Sequence, residues 1–73
     1  MSKKVKNRLN ELMIEHRYDS TNLGKKIKID RKALANLRAG NTTRIEFETL
    51  LKICQLFKIK IGEFLYIGED NGN

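Results

Sequence analysis

An all-α domain of five short helices is the fold class this sequence predicts, on three observations. Apolar residues return every three or four positions in several successive segments, the spacing of one helix face. Asp19, Asp30 and Gly40 stand where such segments would begin or stop. With 73 residues, one cysteine, one histidine and no proline, the chain has room for one small core and no internal disulfide or structural zinc site. Helix packing, with or without a partner subunit, must therefore hold it together.

The first helix is expected over residues 3–17, with Val5, Leu9, Leu12, Met13 and His16 on one face. His16 has no second histidine, cysteine or paired acid near it in sequence and reads as a partly covered helix residue. Asp19 is placed to cap a second helix over residues 20–27, which carries Leu23 and Ile27 one turn apart. Lys28 breaks it, Ile29 plugs the break, and Asp30 is expected to cap a third helix from Arg31 to Ala39. Gly40 ends that helix as a left-handed residue. At about 100° per residue, Leu34 and Leu37 with Ala33 beside them form its inner side, and Arg31, Lys32, Ala35, Asn36 and Ala39 its outer side. A fourth helix over 46–57 presents Phe47, Leu50, Ile53, Cys54 and Phe57, with Cys54 a small core residue rather than a nucleophile. A last short helix near 61–67 adds Ile61, Phe64 and Leu65 to the core. The stretch "FKIKIGEF" alternates for a few residues, too few for a sheet.

Charge is unevenly spread. Of the net +6, residues 20–44 hold seven cations against the single acid Asp30, also a net +6, while residues 45–73 carry a net −2. A patch of this kind attracts phosphate backbones or anionic surfaces, unless it is simply a solvated basic face. The outer side of the third helix adds specificity to the charge: arginine can bond guanine bidentately and asparagine adenine. Its alanines let the helix axis approach a partner closely. The polar segment Asn41–Arg44 supplies hydroxyls, amides and a cation, groups that position phosphate without reading sequence.

The chain offers no nucleophile–base pair, no metal-ligand cluster, no glycine loop for phosphate and no cofactor motif, so an enzyme is not expected. Glu11 and Glu15, one turn apart, read as a solvated face. No apolar run approaches the roughly 18 residues of a membrane span, and the basic start "MSKKVKNRLN" leads into no signal-peptide core. A cytoplasmic protein is expected, bacterial or encoded by a phage or other mobile element.

The segment from Asp19 to Gly40, followed by "NTTRIEFETLLKICQLFKIKIGEFL", resembles the Cro/CI-type (Xre-like) helix-turn-helix family of transcriptional regulators, in its small single-domain form. The match runs from about residue 5 to 67. Leu23, Ile29, Asp30, Leu34, Leu37 and Gly40 carry the helix-turn-helix pattern, and Phe47, Thr49, Leu50, Lys52, Cys54, Gly62 and Leu65 continue it. The resemblance implies a compact lambda-repressor-like fold over residues 1–67 with a polar, flexible tail over 68–73. It also implies duplex DNA as partner, with the third helix in the major groove. Arg31, Lys32, Ala35 and Asn36 would then meet base edges, and Ser20, Thr21, Lys28, Asn41, Thr42, Thr43 and Arg44 the phosphates. Three positions depart from the glycine that the family often has at helix ends: Arg17, Lys28 and Lys58. Either each accepts a left-handed backbone at a cost of about 1 kcal/mol, or the turn differs there. Gly24 replaces the family's usual alanine, losing about 1 kcal/mol of helix propensity.

A single module reads few base pairs, so a repressor-type regulator of this size is expected to bind as a dimer. Leu51, Leu56, Ile59, Tyr66 and Ile67 are the apolar residues left to form a two-fold patch, unless they complete the core. The alternative function is a protein-interaction module, an antitoxin or antirepressor subunit that uses the same patch on a different chain.

Overall fold

The computed structural model describes residues 2–69. Five helices appear in the expected order: α1 Leu9–Glu15, α2 Ser20–Ile27, α3 Arg31–Ala39, α4 Phe47–Phe57 and α5 Ile61–Phe64. The chain is nevertheless not all-α. Strand β1, Lys3–Asn7, pairs antiparallel with β2, Leu65–Glu69, in the register Lys3↔Glu69, Val5↔Ile67 and Asn7↔Leu65. The first helix therefore starts at Leu9 instead of residue 3, and the last ends at Phe64 instead of 67.

Two local causes account for the ribbon. Lysines at 3, 4 and 6 would crowd positive charge onto the positive end of a helix dipole. Asn7 then diverts the chain: its Oδ1 accepts the Leu9 amide at 3.0 Å, which starts α1, and its Nδ2 donates to the Leu37 carbonyl at 2.9 Å. That carbonyl lies in the last turn of α3, where it also accepts the Gly40 amide at 3.1 Å, so Asn7 adds a second donor to it. An isolated two-stranded ribbon is marginal in water. Here Asn7 ties it to α3, Leu65 packs against the core, and the Arg8 guanidinium sits 4.3 Å above the Tyr66 ring. Gly68 and Glu69, expected in the polar tail, belong to β2; residues 70–73 of that tail lie outside the described residues.

Every helix contributes to one core: Leu9 and Met13, Leu23 and Ile27, Leu34 and Leu37, Leu50, Ile53, Cys54 and Phe57, and Phe64. Among the described residues no polar or charged side chain is buried. Burial, and secondarily the nearby Glu63 carboxylate, push the Cys54 thiol above its ordinary pKa, as suits a core residue. His16 lies at the surface with its ring 4.9 Å from that of Phe57. Three residues expected inside or against the core lie outside it: Val5 is on the ribbon, and Ile61 and Phe47 open their helices at the surface. Phe47 is 88 % exposed, because the chain enters α4 from an extended Glu46 and the first buried position comes only with Leu50.

The first four helices end alike. Arg17, Lys28, Gly40 and Lys58 are left-handed, with φ of 60°, 59°, 80° and 57°. The next amide reaches back five residues in each case: Tyr18 to Met13, Ile29 to Gly24, Asn41 to Asn36 and Ile59 to Cys54, at 2.8–3.0 Å. Tyr18, Ile29 and Ile59 also pack against the core, the apolar contact that completes this termination. The three cations thus adopt the backbone that glycine usually supplies. Each places a positive charge at the negative end of its helix.

Phe47→Ala tests the revised core. It is expected to change unfolding free energy by no more than about 0.5 kcal/mol, as surface substitutions do. A buried phenylalanine would cost about 3–5 kcal/mol. Chemical denaturation of the variant beside the wild type distinguishes the two.

Candidate nucleic-acid interface

The α2–turn–α3 unit is built around Gly24. A Cβ on Gly24 would stand 2.7 Å from the Ile29 carbonyl oxygen and 3.7 Å from the Arg31 nitrogen, closer to the oxygen than side-chain carbons come. The missing side chain therefore lets the turn and the start of α3 lie directly on α2. Leu23 and Ile27 meet Leu34 and Leu37 beneath this crossing. Lys28, left-handed, lets the chain turn sharply, and Ile29 caps the angle from inside.

The starts of the two helices are made differently. The Asp19 carboxylate accepts the Asn22 amide at 2.7 Å, the expected cap of α2. Asp30 occupies the capping position of α3 but its side chain makes no capping hydrogen bond. Its φ of −57° and ψ of 134° differ from the extended backbone of Asp19, and only its carbonyl engages, accepting the Leu34 amide at 3.1 Å.

Arg31, Lys32, Ala35, Asn36 and Ala39 are all exposed, while Leu34 and Leu37 face inward. Ala33, expected beside those leucines, is instead exposed on the rim of a groove. That groove brings Asn36 together with Thr42 and Arg44, against a floor that includes Ile29 and Leu37. Asn41, Thr42, Thr43 and Arg44 are exposed, as are Thr21 and Lys28; Ser20, in the first turn of α2, is partly covered.

Cations on this face have no acid partner. The ion pairs among the described residues are Lys3–Glu69, Arg8–Glu11, His16–Glu15 and Lys52–Glu48, and none involves α2, the turn, α3 or residues 41–44. The nearest acids in sequence are Asp19, whose carboxylate caps α2, Asp30 between the helices and Glu46 on the groove's edge. Over this face, charge is left for an external anion.

The model of the Cro/C1-type HTH DNA-binding domain family matches residues 8–70, most of the chain. The protein belongs to this family. It is accordingly a DNA-binding domain of the helix-turn-helix kind. No curated protein and no solved structure matches the chain.

One set of cations beside the helix-turn-helix escaped sequence reasoning. Lys4 and Lys6 on β1 line a cleft with Arg38, Gly40, Asn41 and Thr42, next to the α3 surface. A signal for them existed. Lys4, Lys6 and Arg8 alternate at the period of a strand, as do Tyr66 and Gly68, their neighbours across the ribbon. Among the described residues no helix is long and apolar enough to cross a membrane.

Gly24→Ala weighs two effects of the helix-turn-helix crossing. The substitution gains about 1 kcal/mol in helix propensity. Against this, the carbonyl it would meet is backbone and cannot rotate away, and overpacking costs about 1–3 kcal/mol. The expected result is a net loss of about 1 kcal/mol in denaturant unfolding. A gain of stability would show that the crossing has room to spare.

Proposed function

We propose that the protein is a sequence-specific regulator of transcription, repressor in type, that lays α3 in the major groove of duplex DNA. The observation that carries this reading is the outer face of α3, where Arg31, Lys32 and Asn36 stand exposed beside Ala35 and Ala39 with no acid paired to them among the described residues. Long donors flanked by small residues suit a helix that must approach base edges closely. Arg31, Lys32 and Asn36 read bases, with Ala35 in van der Waals range. Ser20 and Thr21 at the start of α2, Lys28 in the turn, and Asn41, Thr42, Thr43 and Arg44 after α3 hold the backbone on either side.

The same reading takes a second copy of the chain to a second half-site. Of the five apolar residues expected to make the pair, Leu51 and Ile67 are exposed. Leu56 and Ile59 pack against the core, and Tyr66 is partly covered, beneath Arg8. Val5, directly across the ribbon from Ile67, adds exposed apolar surface to what remains.

Selection of bound sequences from a random duplex pool supplies the site, expected as two inverted half-sites about one helical turn apart. On that site Arg31→Ala and Asn36→Ala are each expected to cost about 1–3 kcal/mol, with a much smaller loss on random duplex. Arg44→Ala is expected to weaken both alike and to lower the salt slope by about 0.9. Full cognate affinity in the first two variants would remove the base-reading assignment, and an asymmetric, single half-site would remove the pair.

A further inference from the structure

We propose that strand β1 and the segment Arg38–Thr42 form an additional phosphate-binding cleft, which extends the DNA contact beyond the helix-turn-helix. The inference rests on the proposed DNA reading and adds to it a site outside the motif. Asn7 anchors β1 to the last turn of α3 through the Leu37 carbonyl, so the strand runs beside the loop that follows the helix. Lys4 and Lys6 line the resulting cleft with Arg38, Ala39, Gly40, Asn41, Thr42, Tyr66 and Glu69. Ala39 lies on the outer side of α3, and Asn41 and Thr42 are the groups that hold backbone in the proposed complex. A duplex seated there brings a phosphodiester chain past the cleft mouth.

The cleft's charge is available. Glu69 lines it but is tied to Lys3 at 2.6 Å, and Glu11 is occupied by Arg8 at 3.7 Å. Arg38 is turned to α1, where its Nε donates to the Asn10 side-chain oxygen, and serves as a fixed wall. Lys4 and Lys6 are paired with no acid among the described residues. Lys6 is also held in place. Its stem crosses the empty side-chain position of Gly68, where a Cβ would lie 2.9 Å from its Cδ, and Tyr66 borders the same space. Two strand residues on one face are about 6.7 Å apart. Successive phosphates of one DNA strand rise about 3.4 Å along the axis. Lys4 and Lys6 thus span about two phosphate steps along the duplex axis, enough for each to meet a separate phosphate of one strand.

The test is the salt dependence of binding, read by fluorescence anisotropy on random duplex and on the selected site. Neutralising two phosphate contacts in Lys4→Gln/Lys6→Gln is expected to reduce the log–log slope by about 1.8 and to leave the ratio of selected to random affinity unchanged. Lys4→Arg/Lys6→Arg, which keeps the charge, is expected to retain the wild-type slope. An unchanged slope in the glutamine variant overturns the cleft while the DNA reading stands. A collapsed affinity ratio also overturns it, because it assigns the two lysines to the shape of α3. Loss of binding to phosphatidylserine vesicles with an unaltered DNA slope would give the cleft to a membrane surface instead. Failure of the wild-type protein to bind any duplex would overturn both readings together.

Discussion

The contact on which the molecule turns is the approach of α3 to α2 at Gly24. A side chain there would press on the Ile29 carbonyl, so the absence of one sets how tightly the turn closes. The turn in turn fixes the angle at which Arg31 and Asn36 leave the surface. Leu23, Ile27, Leu34 and Leu37 fill the space below it and keep the two helices from sliding. Glycine in a helix interior is normally unfavourable by about 1 kcal/mol. In this chain that weakness accompanies a close crossing that alanine would obstruct, and the stability comes from packing beneath the crossing.

A second economy runs through the helix ends. Three of the four left-handed terminations are built on lysine or arginine, each at a conformational cost of about 1 kcal/mol. Part of that cost is recovered electrostatically, since a cation at the negative end of a helix contributes about 0.3–1 kcal/mol. At Lys28 the exchange also bears on the proposed DNA contact, because the residue lies between α2 and α3 and adds charge that glycine would lack. Arg17 and Lys58 follow α1 and α4 and share the geometry outside that unit.

Much of this was legible in the residues. The spacing of Leu23, Ile27, Leu34 and Leu37, the cap at Asp19 and the stop at Gly40 located α2 and α3 closely, and with them an exposed cationic face. The strained ends at Arg17, Lys28 and Lys58 were also legible, as non-glycine residues in glycine places. The ribbon was not. Val5 falls in helical phase with Leu9 and Met13, and strand pairing links residues about sixty apart that no local pattern connects. Phe47 misled for a related reason: its phase matches the buried face of α4, but phase says nothing of where along its length a helix meets the core. Asp30 stood at the right position with a backbone that left its carboxylate unused. The cleft beside α3 followed the ribbon out of view, since Lys4 and Lys6 come near Asn41 and Thr42 only once β1 is a strand.

Amide chemical shifts of the uniformly labelled protein, followed while duplex DNA is added, address the central claim most directly. The account predicts that perturbations gather at the first turn of α2, at Lys28, along the outer positions of α3 and through residues 41–44, while the buried length of α4 stays unmoved. Perturbations confined to α4 and α5, with α3 silent, would contradict it.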